Sequence, residues 1–184
     1  MPDIGEAWAF LERSDPVAGA AEVRAAIDRL AGEIQQQFTD RYPLVLVVMG
    51  GAVVFAGQLL PQLRMPLDLD YIHASRYGAA TVGGGIDWRV DPPAGVRGRA
   101  VLVLDDILDG GQTMCAIRDR LLELGAASFH CAVLVEKILQ EKKPIAADFV
   151  GLTIPDRFVF GCGMDAKGFW RNLPEIRAMR GTRC

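Results

Sequence analysis

The sequence predicts an α/β fold, a central parallel β-sheet flanked by helices, and three observations carry that expectation. Residues 44–49 form an unbroken apolar, valine-rich run, the pattern of a strand buried on both faces. Residues 100–104 form a second such run, and a helical pattern follows each of them. Strands then alternate with helices along the chain, as a parallel sheet covered on both sides requires. The 184 residues are 51% apolar and 23% charged. A chain of this length suits one domain and buries roughly 70% of its unfolded surface without staples.

Residues 3–13 and 20–39 read as helices. In the second, Val23, Ile27, Leu30 and Ile34 recur at three- and four-residue spacing and put one stripe toward the core. Gly19 and the Asp15-Pro16 pair mark the break before it. The strand at 44–49 turns at Gly50-Gly51 into a helix over 52–63. No residue from 42 to 63 is charged, a length that could span a bilayer. The internal Gly50-Gly51 turn, with Gln58, Pro61 and Gln62 beyond it, argues instead for strand, turn and helix, so no membrane association is expected. Residues 67–73 alternate apolar and polar side chains and read as a half-buried strand.

Residues 77–99 are rich in Gly and Pro, with residues 86–90 as a hairpin arm inside them. A stretch of this length in a small domain is more often a working loop than a filler. Strand 100–104 leads to a helix over 112–124, whose stripe is Met114, Ile117, Leu121 and Leu124 and which Gly125 closes. Strands follow at 131–135, 149–152 and 158–160, and residues 169–180 carry no clear period. No repeat or linker divides the chain.

The net charge is −3, so the basic footprint of a nucleic-acid binder is missing. Cys115, Cys131, Cys162 and Cys184 make no C-x-x-C pair, and no secretory signal precedes them. Reduced thiols of a cytoplasmic protein are the plain reading. His73 and His130 fit neither a metal spacing nor a nucleophile triad and read as strand residues. Trp8 and Trp170 read as packing residues, and Trp88 as part of the 77–99 region.

The segment that carries chemistry runs from Val101 to Met114. Four apolar residues end in Asp105 and Asp106; Ile107, Leu108, Asp109, Gly110, Gly111, Gln112 and Thr113 follow, and a helix begins. In an open parallel sheet, ligands sit at the carboxyl ends of strands. A glycine turn entering a helix N-terminus offers free N–H groups and the positive dipole end to a phosphate. The bland alternative is a surface loop with helix-capping acids. Carboxylates beside a phosphate repel it, unless the ligand also carries hydroxyls for them to accept from, or brings Mg²⁺. A pentose phosphate does both.

This segment closely resembles the phosphoribosyl-pyrophosphate (PRPP) signature of type I phosphoribosyltransferases. Further landmarks narrow the resemblance to the short bacterial hypoxanthine-guanine phosphoribosyltransferases. In order they are Gly50-Gly51, Arg76-Tyr77-Gly78, Lys137, Asp148-Phe149-Val150-Gly151, Asp156-Arg157-Phe158-Val159, Asp165 and Arg171. The match spans about residues 23–171. It implies a core over about 40–150, a small hood from about 1–20 and 150–184, and a flexible lid over about 76–90. The implied activity is purine salvage: ribose 5-phosphate moves from PRPP to a 6-oxopurine (hypoxanthine, guanine or xanthine), releasing pyrophosphate.

The resemblance also implies roles for individual residues. Asp105 and Asp106 address the ribose hydroxyls, and both reach one sugar only if the strand has ended before them, since successive strand side chains face opposite ways. Asp109 is the general base near purine N7. Asp109, Gly110, Gly111, Gln112 and Thr113 hold the 5-phosphate, while Met49, Gly50, Gly51, Arg76, Tyr77 and Arg171 belong to the PRPP site. Lys137 donates to the purine 6-oxo group, which disfavours a 6-amino group because two donors would then face each other. Phe158 stacks on the base, Val159 reads its edge and Ile107 lines its other side. Asp165 binds Mg²⁺, the implied cofactor, with Asp105 and Asp106 reaching it through the ribose or water.

Several positions depart from the family pattern. Met49 stands where relatives often carry Lys or Arg. Gly110 and Gln112 replace a hydroxyl and a charge, and Arg76 stands where many relatives have Ser. The family's cis peptide would fall at Val48–Met49. The implied partners are PRPP and a purine base, in a homodimer or homotetramer, with no nucleic acid and no membrane. Two rival readings remain: a transferase for another nucleobase, and a nucleotide-sensing regulator of the same fold that binds RNA.

Overall fold

A computed structural model describes residues 3–76 and 86–181, with the side chains of Ser75 and Arg76 outside the description. Helix α1 (Ile4–Glu12) starts at Asp3, whose Oδ1 accepts a hydrogen bond from Gly5 N at 2.9 Å. Strand β1 (Ser14–Ala18) and helix α2 (Ala20–Phe38) follow. The expected stripe of α2 is buried: Leu30 and Ile34 are fully covered. Strand β2 (Leu44–Val48) leads into α3 (Val53–Leu59), which closes in a short 3-10 turn, so the predicted 52–63 helix is two pieces around Pro61. Strands β3 (Asp68–Arg76) and β4 (Ile86–Val90) come next. Strand β5 (Ala100–Leu108), helix α4 (Gln112–Glu123), strand β6 (Ser128–Ile138) and strand β7 (Phe149–Pro155) complete the body. Short strands β8 (Val159–Phe160) and β9 (Ile176–Met179) end the description.

The main sheet has the order β4-β3-β2-β5-β6-β7. Strands β3, β2, β5, β6 and β7 are parallel, and β4 is an antiparallel edge strand paired with β3. The predicted α/β class with its central parallel sheet is what forms. Its five inner residues of β2 are all buried, as are Val101 to Leu104 of β5 and Cys131 to Val135 of β6. This explains the unbroken apolar runs. Helix α2 packs on β7, where Arg29 Nη2 donates to the carbonyls of Val150 (2.9 Å) and Gly151 (2.7 Å). The body of the fold therefore extends beyond residues 40–150 at both ends.

The chain leaves β2 for a neighbour on one side and β5 for a neighbour on the other. With right-handed crossovers, α3 and α4 then cover opposite faces. Between β2 and β5 the winding reverses, and a crevice must open there at the strands' carboxyl ends. A second, antiparallel sheet, β1-β9-β8, joins the two ends of the chain.

Three expectations are corrected. Asp15-Pro16, read as a break, lies inside β1, an edge strand, where a proline's missing N–H costs no ladder bond. The strand predicted at 100–104 runs on to Leu108, so Asp105 and Asp106 lie inside it. The strand predicted at 131–135 runs from 128 to 138, which carries Lys137 within the sheet. Among the described residues, no helix is long and apolar enough to cross a membrane.

Candidate active site

The crevice at the winding reversal is a cavity of about 440 Å³. One wall is the turn after β2, where the Met49–Gly50 peptide is cis, one bond later than expected. Another wall is the end of β5 with the turn into α4. A Cβ on Gly51 would overlap Asp106 Oδ2, so any larger residue here has to displace the Asp106 carboxylate. Gly163, at φ +105°, presses onto the same turn, since its own Cβ would overlap the Gly51 carbonyl. Gly51→Ala is therefore expected to destabilise the protein by about 1–3 kcal/mol through overpacking. In thermal melts this appears as a loss of about 2–12 °C at this chain length.

Asp105 and Asp106 sit on successive strand positions, yet both line the cavity. The end of β5 brings them together, with Asp106 N donating to Asp105 Oδ1 at 3.0 Å. By accessible surface they are half-buried, but protein surrounds their carboxyl groups on most sides. Burial pushes the pKa of Asp105 well up, and the neighbouring Asp106 charge pushes it further. Burial also raises Asp106, with the Asp105 hydrogen bond and then the Arg171 charge among the opposing effects. The crevice thus holds two carboxyl groups that resist ionisation, which a ligand offering hydroxyl donors or a cation would relieve.

The turn after Asp109 leads into the N-terminus of α4 at the cavity wall. Gly111 caps α4 in the left-handed region, at φ +83°. Its backbone packs onto Pro144 and Ile145, with a Cβ position only 3.2 Å from Ile145 Cγ2. The first-turn N–H groups of α4 have no partner within the helix. Gly110, Gln112 and Thr113 line the same cavity and close the turn around that N-terminus.

A second cavity, of about 210 Å³, adjoins the first, and the two share Asp106, Ile107 and Asp109. Lys137 lies on its wall, 4% exposed, its Nζ 2.8 Å from Asp109 Oδ2 and 3.7 Å from Asp156 Oδ1. Asp156 Oδ1 is itself buried and accepts no hydrogen bond. Phe158, Val159, Met164 and Asp165 complete the wall. Asp165 Oδ1 pairs with Arg171 Nη2 at 2.6 Å, and Asp165 Oδ2 accepts from Gly168 N at 2.6 Å. Arg171 Nη1 donates to the Gly163 carbonyl at 2.7 Å while its side chain lines the first cavity. The ion pair therefore spans both cavities.

Helix α1 supports the segment that carries this pair. Trp170 Nε1 donates to the Ala7 carbonyl at 2.6 Å, and the Trp8 and Trp170 rings meet edge to face at 5.0 Å. Lys167 pairs with Glu6 at 2.8 Å. Residues Cys162, Lys167 and Trp170 hold positive φ values between +51° and +67°, conformations that only a well-packed environment sustains.

The structure brings Met49, Gly50, Gly51, Asp105, Asp106, Gly110, Gly111, Gln112, Thr113 and Arg171 to the first cavity. Lys137, Phe158, Val159 and Asp165 line the second, while Ile107 and Asp109 line both. Tyr77 and the side chain of Arg76 lie outside the described residues, as does most of the expected lid. Six lining residues were not anticipated, among them Val48, Ala74, Leu108 and Met114 of the first cavity. His73, on β3, lines the first cavity, and Met164 lines the second. A histidine at a strand end near the crevice is a usable signal, whereas Met164 has none. His130 is structural: it stacks edge-on against Phe38 and approaches Asp148 at 3.5 Å. Burial pushes the thiols of Cys131 to about 12 and Cys162 to about 11, so neither is a nucleophile at neutral pH. Among the described residues, no three His, Cys, Asp or Glu side chains cluster as metal ligands.

A family model described as phosphoribosyl transferase domain matches residues 19–167. The chain is 32% identical to hypoxanthine-guanine phosphoribosyltransferase of Bacillus subtilis, over 86% of this chain and 89% of that protein. It is 31% identical to hypoxanthine-guanine-xanthine phosphoribosyltransferase of Tritrichomonas foetus, over 86% and 87%. Among solved structures, a hypoxanthine-guanine phosphoribosyltransferase from Bacillus anthracis superposes with a TM-score of 0.81 at 28% identity, covering 90% of this chain and 97% of that one.

Proposed function

The chain belongs to the hypoxanthine-guanine phosphoribosyltransferase family, and from that premise we propose how its two cavities divide the reaction. The protein is a purine salvage transferase, joining ribose 5-phosphate from PRPP to a 6-oxopurine and releasing pyrophosphate. The first cavity takes PRPP and the second takes the base. The observation that carries this reading is the shared boundary of the two cavities at Asp106, Ile107 and Asp109, with the Lys137 ammonium against Asp109. A bond formed between base and sugar has to cross such a boundary.

The 5-phosphate binds the turn 109–113 through backbone N–H groups and the Thr113 hydroxyl. Gly110 and Gln112 add no charge, so the α4 N-terminus provides most of the attraction. Asp105 and Asp106 accept from the ribose 2- and 3-hydroxyls. The pyrophosphate lies toward the Met49-Gly50-Gly51 turn and Arg171, whose planar fork suits phosphate oxygens. Met49 brings no cation to that turn, which leaves Arg171 as the nearest fixed positive charge lining the described cavity. The family resemblance assigns Arg76 and Tyr77 to the PRPP site as well, although Tyr77 and the side chain of Arg76 lie outside the described residues.

In the second cavity Phe158 and Ile107 sandwich the purine ring and Val159 reads its edge. Lys137 donates an N–H to the 6-oxo oxygen and so withdraws electron density from the ring. The ring nitrogen attacks C1 of the ribose as the bond from C1 to the pyrophosphate oxygen breaks, and Asp109 takes the ring N–H proton near N7. The Lys137–Asp109 contact must open for this, because each then faces the substrate. A 6-amino group would present a donor to a donor, so adenine is excluded.

Mg²⁺ fits the donor set. Asp165, with Asp105 and Asp106, offers carboxylate oxygens, and Mg²⁺ binds through one or two of these while substrate phosphates and water complete its shell. Bound there with the pyrophosphate, it would offset the negative charge that builds on the leaving group. The assembly we propose is a homodimer or homotetramer, working in the cytoplasm.

The test is a spectrophotometric assay of the purified protein with PRPP and hypoxanthine, guanine, xanthine or adenine, with and without Mg²⁺. Nucleotide is expected from oxopurines in the presence of Mg²⁺ and not from adenine. No product from any oxopurine would overturn the reading.

A further inference from the structure

We propose that Lys143 is a positioning residue for the base subsite, an ammonium clamp that fixes Asp109 relative to Lys137. The inference rests on the reading of the second cavity as the purine site and adds a residue to it that neither lines that cavity nor touches the substrate.

Lys143 lies in the connection from β6 to β7 and its side chain is only 10% exposed. A buried ammonium needs an acceptor for each of its three N–H groups. Lys143 has three: the Lys137 carbonyl at 2.6 Å, the Leu108 carbonyl at 3.0 Å and Glu136 Oε1 at 3.1 Å. The first two are main-chain atoms of different strands. Leu108 is the last residue of β5 and immediately precedes Asp109; Lys137 is itself the residue that faces the purine. The β5–β6 ladder ends at the Leu108–Glu136 pair. Beyond it no backbone pairing ties the two strands, and Lys143 bridges the gap at that point.

The same connection supports the phosphate turn. A Cβ on Gly111 would lie 3.6 Å from Lys143 Cβ, 3.4 Å from Pro144 Cδ and 3.2 Å from Ile145 Cγ2. Residues 143–145 thus sit behind both the phosphate turn and the Asp109–Lys137 pair. The charge is local: Glu136 is the acid that balances Lys143, while Asp109 and Asp156 lie beside Lys137. The two lysines therefore have separate tasks, one facing the substrate and one holding the strand ends that present it.

If the clamp sets the distance from Asp109 to Lys137, losing it damages recognition of the base more than binding of PRPP. In Lys143→Met, the hypoxanthine KM is expected to rise and kcat to fall, together about tenfold to hundredfold in kcat/KM, as for a misplacement on the order of 1 Å. The PRPP KM should stay within about twofold, since its main contacts come from the α4 N-terminus and β5. Lys143→Arg, which keeps the charge and several donors, should recover much of the loss. Glu136→Gln, which keeps an acceptor and leaves both carbonyl bonds, should resemble the wild type. A clamp that serves only the fold would lower the melting temperature and the active fraction with both KM values unchanged, and that result overturns the inference. Should Lys143→Met not fold, Lys143→Gln is measured instead, with the same split expected and the same result overturning it. A wild-type protein that forms no nucleotide from hypoxanthine overturns the functional reading and this one with it. Wild-type turnover with an unaltered hypoxanthine KM in the Lys143 variants overturns this one alone.

Discussion

Asp109→Asn is expected to lower kcat by about 10²–10⁴-fold, the range for removing a positioned general base, while the PRPP KM changes by no more than a few fold. Asparagine keeps the shape and one acceptor oxygen of Asp109, so Lys137 Nζ retains a hydrogen-bond partner where it now has Asp109 Oδ2 at 2.8 Å. What is lost is the ability to hold the ring proton as the bond to ribose forms. Asp109 is about half exposed, so the variant should melt close to the wild type, because substitutions at such sites shift stability little. In the proposed reading PRPP binds through the N–H groups of the turn and through Asp105 and Asp106, which the substitution leaves in place. Steady-state kinetics with each substrate varied in turn separate the possibilities. Parallel losses in kcat and in PRPP affinity would make Asp109 a binding group and place the base elsewhere.

The parts of this site that were legible in the sequence are those whose chemistry is local. The 101–114 segment joins a buried strand, three acids, a glycine pair and a helix start in consecutive residues, and the cavity forms where that order puts it. Lys137 was legible by position, but its two carboxylate neighbours come from the turn after β5 and from the chain after β7. What the sequence left obscure depends on pairing across long separations. Strand β1 contains Pro16, which reads as punctuation, and becomes a strand only because β9 pairs with it about 160 residues later. Strand β9 has only Ile176 and Ala178 facing inward, too short a pattern to register as alternation. Trp8 and Trp170 read as packing residues, and they are, but that they pack on each other across 162 residues and brace the segment carrying Asp165 and Arg171 is visible only in the fold. Lys143 stands beside Glu141 and Lys142 with no local apolar pattern to mark it; its burial follows from the way 143–145 folds behind Gly111. In Asp105 and Asp106 the local rule failed instructively. Alternation along a strand would send them to opposite faces, but at the sheet's carboxyl edge the crevice reaches around both.

Asp105→Asn is expected to make the unliganded protein more stable and the enzyme much weaker. Burial and the charge of Asp106 raise the Asp105 pKa in the folded state. Between the ordinary carboxylate range, about pH 4, and that raised value, the unfolded chain has released its proton and the folded one has not. The unfolded state then binds fewer protons, so stability falls as pH rises through this window and levels off above it. Removing the ionisable group removes the fall. Asparagine keeps the oxygen that accepts from Asp106 N, and Asp106 loses its like-charged neighbour. The gain at pH 8 should be about 1–2 kcal/mol, typical of substitutions that relieve a functional strain, or roughly 2–8 °C in melting temperature at this length. Below pH 4 the two proteins should melt alike, and a difference that does not grow with pH would refute the electrostatic account. Catalysis should move the other way. One ribose hydroxyl would face an amide in place of a charged acceptor, and charge-assisted hydrogen bonds are roughly twice as strong as neutral ones. The PRPP KM should therefore rise by about tenfold or more, corresponding to the loss of one such bond at about 1.5–3 kcal/mol. The opposed signs follow from one cause: two carboxylates held side by side in a crevice are unfavourable until donors or a cation face them, and the proposed sugar phosphate would bring both.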